Sequence, residues 1–348
     1  MPSRLRADFQ PHELSAVLRR YNLGNILRID KQLKGSRRSP KAIITTDQGR
    51  FLLKRRARGK DHPLKVAYAH AVQEYLDKQG FPVPRLVPVK DGDDTMVILS
   101  DLIYEMFEFV PGEPFHGLLE EAEDGGRVLA NFHKFLAKYE SEWEPSRQGY
   151  HDANGVRSNL NGIPAAIGKD DSVAGKEGEL LATVGLLFDA YEDASEKVSE
   201  AGYADWPSQI VHADWHPGNM LFKDGAVAAV IDYDSLHLLP AVTDLANGAL
   251  QFSIIGGPTD PRDWPPELDE QRYTAFLRGY EEVDGIVEQQ MAVLPNMMIE
   301  ALIAEAVMPI AATGSFGRIE GFRFLQMILR KIRWLQEHSD RLVTLWQA

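Results

Sequence analysis

Cysteine is absent from all 348 residues, which excludes disulfides, thiolate-bound zinc and a cysteine nucleophile together. Long apolar runs are missing as well. No stretch reaches the roughly 18 apolar residues that a membrane-spanning helix needs. The richest region, 301–312, is interrupted by Glu305 and Pro309, so no membrane span is expected. The opening MPSRLRADFQPHEL lacks the apolar segment of a secretory leader, and a cytoplasmic setting is expected. Positive charge is scarce: 38 Lys and Arg stand against 51 Asp and Glu, a net −13. Phosphate backbones require a basic footprint, so neither nucleic acid nor an anionic membrane is an expected partner. The acidity suits a cationic ligand such as an amine, although solubility alone accounts for the same balance.

What is present is enough apolar material, 44% of residues, for more than one core in a chain of this length. Residues 9–23 show helical apolar spacing (Leu14, Val17, Leu18, Leu23) ended by Gly24. Strand-like segments follow at 26–29, 42–46 and 51–54, separated by turns containing glycine. A helix is expected over 66–79, where Val66, Ala69, Val72 and Leu76 recur at helical intervals before Gly80. Two further strands, 96–99 and 104–110, complete a strand-rich part. After Pro111-Gly112-Glu113-Pro114, helical patterns dominate. The polar, Gly/Ser/Asn-rich stretch 141–178 reads as a long surface excursion.

Chemistry concentrates in 210–234, IVHADWHPGNMLFKDGAVAAVIDYD. His212, Asp214, His216, Asn219 and Asp232 are arranged around two short apolar strands, 220–222 and 227–231. Lys223-Asp224-Gly225 joins those strands, and Asp-Gly is a strong hairpin signal. Such a hairpin returns Asp232 to the neighbourhood of Asn219, with Asp214 on the loop just before. Phosphoryl transfer needs a carboxylate to orient and deprotonate the attacking hydroxyl, and oxygen ligands for Mg²⁺. Asp214 can supply the first; Asn219 and Asp232 can supply the second. Two other readings stand beside this one. The polar residues are turn chemistry alone, or His212, Asp214 and His216 ligate zinc or iron in a metal hydrolase, which leaves Asn219 without a role.

The pattern His-x-Asp-x-His-x-x-Asn followed by Ile-Asp-x-Asp resembles the aminoglycoside phosphotransferase-like superfamily, which includes antibiotic kinases, choline kinases, the second type of homoserine kinase and spore-coat-type kinases. Thr243-Asp244-Leu245-Ala246 and Leu129-Ala130-Asn131-Phe132-His133 resemble two further family segments, and the similarity runs from about residue 9 to beyond 330. The resemblance implies an α+β, protein-kinase-like bilobal fold. A small antiparallel-sheet N-lobe (1–110) would hold the nucleotide phosphates, and a larger, mainly helical C-lobe (111–348) the catalytic loop, metal site and acceptor.

It further implies Asp214 as catalytic base, Asn219 and Asp232 as Mg²⁺ ligands, and Lys54 on the ATP phosphates. The phosphate-covering turn would be Lys34-Gly35-Ser36-Arg37-Arg38, with Ser36 reaching phosphate. The adenine edge would meet the Glu108 carbonyl and the Val110 amide, with Phe107 flanking the base. The usual acidic partner of the lysine falls near Ala69 or His70, so either Glu74, one turn later, takes its place or the ion pair is rearranged. His212 would hold the catalytic loop by hydrogen bonding, His216 would support the site, and Asp244 would anchor the loop from a helix start. Asp234 would support the metal site or cap its turn. His133 reads as a packed helix residue.

The expected activity is transfer of the ATP γ-phosphoryl group to a hydroxyl of a small molecule, an amino alcohol, a sugar-like compound or an aminoglycoside-like one. Alternatives are a protein Ser/Thr kinase and a catalytically idle nucleotide-binding module. Acidic clusters at Glu120/Glu121/Glu123/Asp124, Glu267/Asp269/Glu270 and Glu281/Glu282/Asp284 are candidate amine sites, or solvated helix faces. A monomer or a homodimer is expected.

Overall fold

The computed structural model describes residues 8–30, 39–90, 92–168, 170–171, 173–257 and 260–346. The N-terminal part runs α1 (Pro11–Leu18), β1 (Ile26–Asp30), β2 (Lys41–Thr46), β3 (Gly49–Arg55), α2 (Pro63–Lys78), β4 (Met96–Leu99) and β5 (Leu102–Glu108). Its five strands form one antiparallel sheet in the order β1-β2-β3-β5-β4. Directly opposed residues in such a sheet share a face. The pairs Lys41↔Lys54, Lys54↔Glu105 and Leu52↔Phe107 therefore point one way, into the cleft between the lobes. Ala42, Ile44, Leu53, Tyr104 and Met106 point the other way. They pack with Leu14, Val17 and Leu18 of α1 into a small core.

The C-terminal part runs α3 (Leu119–Leu136), α4 (Asn154–Ile167), α5 (Glu177–Glu200), β6 (Ser208–Val211), β7 (Met220–Lys223), β8 (Ala226–Val230), β9 (His237–Pro240), α6 (Val242–Ser253), α7 (Glu270–Glu281), α8 (Glu288–Ala292), α9 (Leu294–Thr313), β10 (Ser315–Phe316), β11 (Ile319–Glu320), α10 (Gly321–Glu337) and α11 (Ser339–Leu345). Its core is continuous from α3 to α11 and also takes in Tyr68, Ala69, Val72 and Leu76 of α2. The larger core thus reaches back across the expected division at 110/111. The fold is the α+β, kinase-like bilobal one, with a small antiparallel sheet above a helical lobe.

Helix α9 is mostly apolar and central, with Glu300 buried, Glu305 half-buried and Met308 exposed. It is long and apolar enough to cross a bilayer, but 67% of its apolar window is buried within the protein. The stretch read as a surface excursion contains α4. Val156, Leu160, Ile163 and Ile167 recur along one face of it and are buried against α5 and α9. Gly155, Asn159, Asn161, Gly162 and Pro164 hide that pattern, because their helix propensity is poor.

Helices α3 and α7 meet backbone to backbone. A Cβ at Gly126 would lie 1.9 Å from the Phe276 carbonyl oxygen, and one at Gly279 would lie 1.8 Å from that of Glu123. The same α3 carries His133 and Asp124, which brace the candidate site. Gly279→Ala should therefore force the helices apart and cost about 1–3 kcal/mol or more. The urea midpoint reads this out; an unchanged midpoint would contradict the close crossing.

Candidate active site

The catalytic-type loop lies between β6 and β7 and is shaped by backbone strain that the surroundings hold. Ala213 adopts φ 57° and Asp232 φ 69°, left-handed values that a residue with a Cβ adopts only at a cost. Asp244, fully buried in the first turn of α6, fixes the first of these bends. Its carboxylate accepts the His212 amide at 2.6 Å and the Ala213 amide at 2.8 Å. His133 on α3 supports Asp244 from behind, with Nε2 3.4 Å from Asp244 Oδ2 and Nδ1 2.9 Å from the Tyr280 hydroxyl.

Asp214 follows at the open end of this bend. Asn219 Nδ2 donates to Asp214 Oδ2 at 2.8 Å and to the Asp214 carbonyl at 3.0 Å. Both donor bonds of the amide are thereby used on the loop, and Asn219 Oδ1 is left as the outward oxygen. His216 Nδ1 accepts the Gly218 amide at 3.0 Å, so the ring proton sits on Nε2, 3.5 Å from Asp214 Oδ1. Burial lowers the His216 pKa despite the Asp214 charge, which keeps the ring neutral.

The hairpin forms as the Asp-Gly signal implies: Asp224 and Gly225 have φ 53° and 79°, both positive, as a tight turn between β7 and β8 requires. Closing it lets the Ile231 amide donate to the Asn219 carbonyl at 2.9 Å, which seats Asp232 next to Asn219. Gly112 lies against this hairpin so closely that a Cβ would meet Leu221 Cβ at 2.8 Å, and Glu113 exchanges two 2.8 Å backbone bonds with Phe222. The inter-lobe connection is thus stitched to the candidate metal-binding hairpin.

Across the cleft, Lys54 Nζ is 3.2 Å from Asp232 Oδ1 and 3.7 Å from Asp234 Oδ1. Burial disfavours its charge, but Glu105, Asp232 and Asp234 outweigh that and raise its pKa. Asp232 shows the mirror effect: burial opposes ionisation, yet Lys54 holds it well below the ordinary carboxylate range. Asp234 is buried in the turn after Asp232 and pairs with Arg56 Nη1 at 2.5 Å. Burial and the neighbouring Asp232 and Glu105 charges raise its pKa against the pull of Lys54 and Arg56.

The cleft is lined by Lys41, Leu52, Lys54, Gln73, Phe107 and Asp232 among others. Phe107 and Leu52 give it an apolar wall of the kind an aromatic base packs on. Glu108 and Val110 follow Phe107 in sequence and are not among the residues that line the cleft. The Glu108 amide donates to the Arg85 carbonyl at 2.8 Å, and the intervening Phe109 amide to the Arg50 carbonyl at 3.0 Å. Ser36 and the rest of the turn 34–38 lie outside the described residues.

Two expectations need correction. Glu74 is exposed and does not face Lys54; Gln73, one residue earlier, is buried and lines the cleft. The buried stripe of α2 runs through Val66, Ala69, His70, Val72, Gln73 and Leu76, and Glu74 lies about 40° beyond its His70 edge and about 100° round from Gln73. His212 does not hold the loop through its ring. Neither ring nitrogen has a hydrogen-bond partner among the described residues. The ring instead packs edge-on against Phe132, Trp215 and Tyr233, while the His212 backbone amide makes the bond to Asp244. With His216 turned toward Gly218 as well, the zinc or iron set is not assembled. No group of three or more His, Asp or Glu side chains converges on a metal position among the described residues.

A further buried carboxylate stands opposite Lys54 on the neighbouring strand and favours its charge from a distance. Glu105 is fully buried and opposite Lys54; Arg56 forks onto it at 2.8 and 2.9 Å, and His70 Nε2 lies at 2.7 Å. Its sequence signal was a lone acid amid the apolar residues 102–107. Burial pushes the Glu105 pKa up, but the His70 bond and the Lys54 and Arg56 charges bring it down to about 2 from an ordinary 4.5. A carboxyl depressed in this way stabilises the fold fully above its unfolded value, and that contribution is lost as pH falls through the folded one. Between about pH 4.5 and about pH 2, Glu105→Gln should flatten the acid decline of unfolding free energy. Urea titrations across that window check it, and an undiminished slope would count against the network.

A model of the phosphotransferase enzyme family matches residues 31–293. A homoserine kinase from Gluconobacter oxydans (strain 621H) is 26% identical over 338 residues, 95% of this chain and 90% of that protein. Among solved structures, an aminoglycoside phosphotransferase from Alicyclobacillus acidocaldarius superposes with a TM-score of 0.70 at 16% identity, covering 98% of this chain and 99% of the other. A microcompartment-associated aminopropanol kinase gives a TM-score of 0.67 at 16% identity, covering 93% and 96%.

Proposed function

This chain belongs to the phosphotransferase enzyme family and is a small-molecule kinase; from that premise we propose that it transfers the γ-phosphoryl group of Mg²⁺-ATP to the hydroxyl of an amine-bearing small molecule. The observation that carries this reading is one connected set. Asp214 is bonded to Asn219, Asn219 is held beside Asp232 by the hairpin, and Asp232 meets Lys54 from the opposite lobe.

The residues fit the nucleotide and its metal. Asn219 Oδ1 and the ionised Asp232 carboxylate are hard oxygens, and the site lacks a cage of its own, as suits an ion held partly by phosphate. Magnesium, when bound, neutralises phosphate charge. Lys54 is a cation already desolvated in the cleft, able to exchange Asp232 for phosphate oxygens. Phe107 borders the space for adenine, the backbone at Glu108 and Val110 is assigned to its edge, and Ser36 is assigned to the phosphates.

Asp214 is the base. Its Oδ2 is oriented by Asn219 and its Oδ1 faces His216, so the carboxylate is aimed before an acceptor arrives. Asp244 and His133 position it through the backbone bend. Asp234 serves the cleft by pairing Arg56, rather than as a metal ligand. The idle-module alternative drew on the displaced Glu74; Lys54 instead pairs with Asp232 and Asp234, with the buried Glu105 opposite it on β5.

The relatives named homoserine kinase and the aminopropanol kinase neighbour support a hydroxylated amine as acceptor. A cytoplasmic site of action agrees with an ATP-dependent reaction.

Asp214→Asn should lower transfer from γ-labelled ATP by about 10²–10⁴-fold while nucleotide still binds. Asp232→Ala should weaken Mg²⁺-dependent nucleotide binding as well. Radiolabel transfer together with calorimetric ADP titration separates these effects. Wild-type turnover by Asp214→Asn would remove the base assignment.

A further inference from the structure

Beside the catalytic-type loop, sharing no lining residue with the cleft at Lys54, a second cavity of about 320 Å³ opens between the 148–159 segment, α6 and α9. Ala213, the residue before Asp214, forms part of its wall, so a molecule lodged there reaches the proposed base. Most of the lining is apolar, with Val156, Leu239, Ala304 and Met308 as its principal surfaces. Two polar groups stand out at its inner end. Glu305 of α9 is held by Gln251 of α6, whose Nε2 donates to Glu305 Oε2 at 2.5 Å. Asn247, one turn before Gln251 on α6, is 5% exposed, and its Oδ1 has no hydrogen-bond partner among the described residues.

Both groups present acceptors. A buried carbonyl-type oxygen without a donor costs about 1–3 kcal/mol unless a guest satisfies it. A carboxylate beside it attracts a donor that is also a cation. The other acidic and basic lining groups, Asp244 and His237, do not compete for this role. Asp244 is spent on the His212 and Ala213 amides, and His237 Nδ1 is tied to the Ser235 carbonyl at 2.6 Å. No lining residue among those described is Arg or Lys. A carboxylate on the guest would therefore face Glu305 and Asp244 without a counter-cation.

We infer that Glu305 and Asn247 seat the ammonium group of the acceptor, and that the acceptor is an amino alcohol without a carboxylate rather than a hydroxy amino acid. This rests on the kinase reading above and narrows its substrate class. Burial, then the Asp214 charge, raises the Glu305 pKa to about 8 against hydrogen bonds from Asn247 and Gln251, so near pH 7 the empty site holds the neutral acid and an entering ammonium favours its ionised form. The nearby Asp214 also places the ammonium within a few bonds of the hydroxyl to be phosphorylated.

Three compounds of similar size separate the possibilities: 3-aminopropan-1-ol, L-homoserine, which adds a carboxylate to it, and propan-1-ol, which lacks the amine. ADP release with Mg²⁺-ATP and the full-length wild-type protein should show kcat/KM for 3-aminopropan-1-ol at least about thirtyfold above either analogue, the scale of an unpaired buried charge. Glu305→Gln should abolish the preference over propan-1-ol, chiefly through KM, and its melting temperature verifies folding. The wild-type comparison stands alone if that variant does not fold. Equal or better use of L-homoserine, or an undiminished amine preference in Glu305→Gln, would overturn the ammonium seat. Use of propan-1-ol at parity would overturn it too, and the amine-bearing acceptor with it, while leaving ATP-dependent transfer through Asp214 intact. Absence of Asp214-dependent ADP release with every alcohol would instead defeat the kinase reading, and this inference with it.

Discussion

Two ion pairs span the cleft and fix how the lobes face each other: Lys54 with Asp232, and Arg56 with Asp234. Both cations come from β3 and the residue after it; both anions come from the end of the hairpin. Glu105 completes the group from β5. Removing these charges from water is expensive, and only mutual pairing with good geometry offsets it. Lys41 and Lys60 also face this group, so its three carboxylates are fully countered by cations. Lys54 can turn to phosphate without leaving Glu105 alone, because Arg56 stays on it.

The second constraint is the backbone bend before Asp214. The left-handed Ala213 would relax if its amide were free, but Asp244 accepts that amide and the preceding one together. Asp244 in turn depends on α3 through His133, and α3 depends on its glycine crossing with α7. A chain of contacts therefore runs from helix packing to the orientation of one carboxylate. Disturbance at Gly126 or Gly279 reaches the reacting end through positions that never touch a ligand.

The set Asp214, Asn219 and Asp232 was legible because its members lie within one short stretch and the Asp-Gly turn dictates how they meet. The sheet was legible from alternation and glycine turns. The partners of Lys54 were less so. Glu105 is 49 residues from Arg56 in sequence, and its pairing exists only once β5 lies beside β3. Glu74 misled through helical phase: a single position decides whether a side chain on α2 enters the cleft or meets solvent. His212 misled because its backbone, not its imidazole, does the anchoring, and side-chain identity does not report that. The second cavity joins α4, α6 and α9, whose mutual packing no local pattern encodes.

A structure with magnesium and a non-hydrolysable ATP analogue addresses the arrangement most directly. We expect the triphosphate between β3 and the hairpin, Lys54 Nζ moved from Asp232 to phosphate oxygen, and the metal bonded to Asn219 Oδ1 and Asp232. Nucleotide bound outside this cleft, or a metal that ignores both oxygens, would contradict the assignment of the site.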